Sequence, residues 1–316
     1  MDDCLVYFFT GFLDSGKTTA ICSWASNEQL ASMKSIIIST EEGEVEYDES
    51  LFLGVKPMMV HVETTDIDSS LLFSLEEKYK PELIFIEWNG SVSPADFFDK
   101  IDVPDRWLLA AAVAIVDAST YSNYYKNMQT MFADYYRYCD TVIFNRVDAE
   151  KDNLPKLRGS VKSINPATNI NFMGINGEML DIADHLPYDL NANPCVIAAD
   201  DFGLFYTDAL DNVERYGGKR VSLIGQAIEM RETRGRAFVL QRNAYTCCAD
   251  DIGVIGVLCF YNYKSGFPAG AWLKVTGTVA FFNDKRPDGK QIAVPTIKVD
   301  DYAVTSKPDN ETIYFS

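Results

Sequence analysis

Residues Gly11-Phe12-Leu13-Asp14-Ser15-Gly16-Lys17-Thr18 fit the pattern G-x-x-x-x-G-K-[ST]. This loop constrains a fold strongly, because it must join a buried strand to the start of a helix for its amides to face one anion. The flanks suit that demand. Leu5 to Thr10 is an apolar, aromatic run that reads as a buried strand, and Thr19 to Ala25 reads as a helix. Gly11 and Gly16 let the backbone curl closely around phosphate oxygens. Lys17 would bridge the β and γ phosphates, and the Thr18 hydroxyl would hold Mg²⁺. The alternative is a chance match in a glycine turn, and the strand and helix on either side weigh against it.

The chain has 316 residues, long enough for two domains. Lys and Arg total 28 against 46 Asp and Glu, a net charge of −18. That balance argues against nonspecific nucleic-acid binding and against attraction to anionic membranes. It leaves nucleotide binding open, since backbone amides do that work locally. No apolar run reaches membrane-spanning length, and Asp2 and Asp3 stand where a signal peptide would be basic. The expectation is a cytoplasmic protein with no direct membrane insertion. Seven cysteines, an odd number and mostly scattered, suit reduced thiols better than a disulfide framework.

Strand-like runs at 35–40, 58–63, 82–87, 111–116, 141–145 and 169–173 alternate with helical patterns at 69–79, 121–138 and 153–164. Such alternation predicts an α/β domain with a mostly parallel sheet and helices on both faces. Ligands in these sheets sit at the carboxyl ends of the strands, and three further candidate stretches fall there. The acidic loop from Thr40 to Glu49 follows a buried strand and suits a switch loop. Glu44 is its best candidate for a metal ligand, the other acids reading as a solvated turn. Leu83 to Glu87 is an apolar strand ending in an acid, with Gly90 three residues on. Glu87 would sit near Mg²⁺ and the Gly90 amide near the γ phosphate. Asn145-Arg146-Val147-Asp148 closes a third strand. Asp148 would accept two hydrogen bonds from a guanine edge, Asn145 would tie this loop to the phosphate loop, and the Arg146 stem would pack on the base. The alternative is a polar turn in which Asp148 caps the next helix.

These motifs, in their order, resemble the CobW family of P-loop GTPases: Thr10 to Thr19, Glu41 to Glu44, Glu87 with Gly90, Ala114 to Asp117, Asn145 to Asp148, and Ile164 to Pro166. The resemblance covers about the first 185 residues. It implies binding of GTP and GDP with Mg²⁺, slow hydrolysis, and a role in delivering zinc or cobalt or in maturing metalloproteins. It further implies nucleotide contacts from Gly11, Asp14, Ser15, Gly16, Lys17, Thr18, Thr19, Gly90, Asn145, Arg146 and Asp148. Family members often work as dimers, so a homodimer is an expectation. Three positions depart from the pattern. Many members carry a C-x-C-C metal motif between the second and third blocks, whereas this chain has no cysteine between Cys22 and Cys139. Arg146 replaces the usual lysine, which leaves an ATPase as a further reading. Asp14 occupies a loop position that is usually small, although heterotrimeric G-protein α subunits also carry an acid there.

Residues 189–202 mix Pro194 with Asn, Asp and Ala and read as a linker between a domain at 1–188 and another at 203–316. Beyond the linker, period-two strands at 219–225, 236–242, 253–260, 272–277 and 291–299 predict a small all-β barrel of OB type. This half resembles the C-terminal domain of YcgQ-type proteins, which are partners of a permease, through Tyr216 to Lys219, Val221 to Gly225, Tyr245 to Asp250 and Gly270 to Gly277. Cys247 and Cys248 are candidate Zn²⁺ ligands. Adjacent strand residues face opposite ways, so the competing reading is one buried thiol and one packed thiol. The expected protein is a slow GTPase, with Lys17 and Glu87 as its principal catalytic groups. The alternative is a regulatory nucleotide-binding protein that acts through its β domain on a permease or another partner.

Overall fold

The computed structural model describes residues 3–41, 47, 52, 54–230, 233, 236–245, 252–261, 267–268, 270–285 and 291–313. The chain forms two units, one of residues 1–152 and 167–181, the other of 153–166 and 182–316.

The first unit is built on one eight-stranded sheet. Its elements are β1 (Cys4–Thr10), α1 (Lys17–Ala25), β2 (Ser35–Ser39), β3 (Met58–His61), α2 (Ser69–Tyr79), β4 (Leu83–Glu87), α3 (Ala95–Phe98), β5 (Trp107–Asp117), α4 (Ala118–Asn127), α5 (Gln129–Tyr138), β6 (Thr141–Val147), β7 (Asn169–Gly174) and β8 (Met179–Leu180). The strand order is β3-β2-β4-β1-β5-β6-β7-β8, parallel throughout except for the last pair. Because β1 lies between β4 and β5, the chain leaves it to one side for β2 to β4 and crosses to the other at β5. Ligand crevices form at such a reversal.

Alternation along β1 sends successive aromatics to opposite faces. Phe9 meets Trp24 of α1 edge-on at 5.1 Å, whereas Phe8 meets Phe97 and Phe98 at 5.2 and 4.7 Å. Helices therefore cover both faces, as expected. The inner strands are apolar on both sides for the same reason: Ile36 to Ile38 and Leu83 to Ile86 are all buried. Two local expectations change. β5 starts four residues earlier than its apolar run suggested. The helical stretch 121–138 is two helices, broken at Met128 (φ −133°, ψ 37°) with no Gly or Pro to announce it.

The second unit contains α6 (Leu154–Lys162), β9 (Cys195–Val196), α7 (Phe202–Asp211), α8 (Val213–Tyr216), β10 (Arg220–Glu229), β11 (Ala237–Tyr245), β12 (Ile252–Phe260), β13 (Trp272–Lys285), β14 (Gln291–Val304) and β15 (Thr312–Ile313). Strands β10 to β14 close into a five-stranded barrel in the order β10-β11-β12-β14-β13, with β10 pairing β13 through its first residues and β11 through its last. The parallel β12–β14 pair completes the ring. This is the OB arrangement. A register shift at Thr276/Gly277 bends the long β13–β14 hairpin. The helix α7 was not anticipated. Its Phe202, Phe205 and Ala209 are buried at helical spacing and join the barrel core with Leu223, Phe238, Leu240 and Val275.

Candidate functional site

The phosphate loop follows β1 and enters α1 at Lys17. Three of its residues have positive φ: Gly11 (141°), Asp14 (59°) and Gly16 (108°). Left-handed turns of this kind point successive amides inward. The Ser15 hydroxyl is buried with no hydrogen-bond partner, a donor suited to an anion in the loop. A side chain at Gly90 would place its Cβ 2.0 Å from the Gly11 carbonyl oxygen, so only glycine permits this approach of β4's following turn to the loop.

Lys17 is buried, and its ammonium donates to the carbonyls of Gly11 (2.7 Å) and Phe12 (3.0 Å). It also forms an ion pair with Glu41, the first acid after β2. Burial pushes the Glu41 carboxyl above its ordinary range, while Lys17 and the Gly90 amide hold it down.

Glu87 ends β4 and collects three hydroxyls. Thr18 Oγ1 donates to its Oε1 at 2.7 Å, and Ser39 Oγ and Tyr47 OH donate to its Oε2 at 2.8 Å each. Desolvation first, then the neighbouring Glu87 carboxylate, push the Tyr47 phenol well above its ordinary value. The Thr18–Glu87 pair is an all-oxygen donor set of the kind that suits Mg²⁺. Fit to the cation thus rests on two oxygens already in contact at the mouth of the loop.

At the end of β6, Asn145 Nδ2 donates to the Ser15 carbonyl at 3.0 Å, and Arg146 donates to the Asp14 carbonyl at 2.9 Å. Arg146 also pairs with Asp117 at 2.5 Å and has φ 54°. The third motif is thereby bound to the phosphate loop. Asp148 is occupied locally. It accepts from Glu150 N at 3.2 Å and pairs with Lys151 at 2.5 Å, and this lysine bond, chiefly, holds its carboxyl below the usual range. The cap of α6 is Asn153, which accepts from Lys156 N, so Asp148 closes the turn before that helix.

The structure brings together Gly11, Ser15, Gly16, Lys17, Thr18, Glu87, Gly90, Asn145 and Arg146. Thr19 is exposed on α1 and Asp14 is exposed in the loop. Glu44, Cys247 and Cys248 lie outside the described residues. Sequence reasoning passed over Glu41 and Tyr47. A cleft of about 760 Å³ opens beside Glu41, walled by Phe12, Leu13, His61, Glu63 and Tyr124 among others. Among the described residues, no three His, Cys, Asp or Glu side chains converge as metal ligands. No helix of the described residues is long and apolar enough to cross a membrane.

Comparison with known proteins supplies the remaining facts. The family model described as CobW/HypB/UreG, nucleotide-binding domain, matches residues 5–172. The model described as DUF1980 C-terminal domain matches residues 179–315. Among solved structures, the hydrogenase maturation factor HypB from Archaeoglobus fulgidus is 16% identical, covering 56% of this chain and 84% of its own, with a TM-score of 0.41. HypB from Helicobacter pylori, solved in complex with nickel, is 14% identical, covering 55% of this chain and 80% of its own, with a TM-score of 0.37. No curated protein matches the chain significantly.

Proposed function

The chain belongs to the CobW/HypB/UreG nucleotide-binding family through residues 5–172, and from that premise we propose that it binds GTP with Mg²⁺ and hydrolyses it slowly. One observation carries the reading: the phosphate lysine, the Thr18–Glu87 pair and the Asn145 tie all meet on one loop. In this reading Lys17 and the loop amides take the phosphates. Thr18 and Glu87 hold Mg²⁺, which supplies charge neutralisation at the phosphate oxygens. Asp148 exchanges its bond with Lys151 for the guanine edge. Catalysis then rests on positioning and on charges fixed before the substrate arrives, which suits slow turnover. The barrel unit is the part that engages a client, and its response to the nucleotide is the useful output. A role in handling zinc or another transition metal is supported by family membership alone.

The deciding experiment is equilibrium binding of GTP, GDP and ATP with Mg²⁺ to the full chain and to Asp148→Ala. Loss of a bidentate base contact costs about 1–3 kcal/mol. The variant should therefore bind GTP and GDP roughly 10- to 100-fold more weakly, with ATP binding unchanged. Equal affinity of the unaltered chain for GTP and ATP would discard the guanine assignment.

A second reading is favoured by the ion pair that already neutralises Lys17. The nucleotide is then held as a signal, with negligible turnover, and the barrel unit acts on a permease or other partner. Multiple-turnover phosphate release, measured with and without Zn²⁺, separates the two readings.

A further inference from the structure

Binding a nucleotide gives Glu41 no task, yet this residue occupies the loop's lysine. Its side chain is 9% exposed and its carboxylate pairs with Lys17. In a phosphate loop the lysine reaches both the β and the γ phosphate. A carboxylate on that ammonium stands where a terminal phosphate would pair, and two anions cannot share the place at contact distance without strong repulsion.

We infer that Glu41 competes with the terminal phosphate of a nucleoside triphosphate for Lys17, and so sets the discrimination between tri- and diphosphate. The inference rests on the nucleotide-binding reading above. A diphosphate offers the lysine one phosphate fewer, so it displaces Glu41 less completely. The cleft that Glu41 lines gives the displaced side chain an open place to go.

The test is the dissociation constant of GDP and of a non-hydrolysable GTP analogue, with Mg²⁺, for the full-length chain, Glu41→Gln and Glu41→Asp. Couplings of this kind span roughly 5- to 150-fold. Glu41→Gln should tighten the analogue about tenfold while GDP changes less than about twofold. Glu41→Asp, one methylene shorter and so less able to reach Lys17, should shift the ratio the same way by less, and it decides the matter if the Gln variant does not fold. Nucleotides that bind with an unchanged analogue-to-GDP ratio overturn the role of Glu41 and leave the nucleotide-binding reading intact. Failure of the unaltered chain and both variants to bind either nucleotide overturns that reading, and this inference with it.

Discussion

Lys17→Ala is expected to weaken GTP and GDP binding by two orders of magnitude or more. A charged hydrogen bond contributes about 1.5–3 kcal/mol, and Lys17 would make at least two to the phosphates. About 3 kcal/mol corresponds to roughly a hundredfold in affinity. The substitution also leaves Glu41 nearly buried without its cation. An unpaired buried charge destabilises the fold by about 1–3 kcal/mol or more, so loss of binding and loss of stability must be separated. The double variant Lys17→Ala/Glu41→Gln does this, since it removes both charges. It should recover the melting temperature of the unaltered chain and still fail to bind. Isothermal titration of the three proteins, alongside thermal denaturation, reads both quantities. Undiminished affinity in Lys17→Ala would remove the phosphate loop from the proposed function.

The fold around this lysine was legible because its signals are local. An apolar strand, a glycine-bounded loop and a helix follow one another within 25 residues, and the same grammar recurs at β4 and β6. The tie from Asn145 to the loop was also legible, since the spacing of that motif carries its geometry. Glu41 was not. The acidic run holds several carboxylates of one kind, and nothing in their order says which one turns inward toward Lys17. That choice depends on Lys17, a partner 24 positions earlier in the chain. Tyr47 was hidden likewise, because its partner Glu87 is 40 positions away. The helix α7 carried a readable pattern in Phe202, Phe205 and Ala209, but the linker-like composition before it and the strand pattern after it drew the residues to other readings. The break at Met128 has no sequence mark, and its cause lies in packing. Phe132 meets Tyr121 and Tyr125 at 5.2 and 5.6 Å, so both helices pack their aromatics around one ring.

The second large effect is expected far from the nucleotide site, at Asp208 of α7. This carboxylate is fully buried. Both of its oxygens take Arg215, at 3.1 and 2.9 Å, and it accepts further from Tyr216 OH at 2.7 Å and Asn212 Nδ2 at 2.9 Å. Arg158 of α6 lies 4.0 Å away and also holds Thr207 and Asp211. Arg158 and Lys162 therefore fasten α6 to α7 through Asp211, while Asp208 balances the inner charge. Asp208→Ala should destabilise the second unit by about 3–5 kcal/mol, because removing the carboxylate leaves the mostly buried Arg215 without its partner. That is a large share of the roughly 5–15 kcal/mol that holds a domain folded. Asp208→Asn, which keeps the shape and one acceptor oxygen, should cost less. Of the four tryptophans, Trp272 alone lies in this unit, so a chain retaining only that indole reports its unfolding in urea. The transition should move to lower urea in Asp208→Ala. An unmoved midpoint would mean that the network is incidental, and that α6 is held by its apolar residues Leu154, Leu157 and Val161.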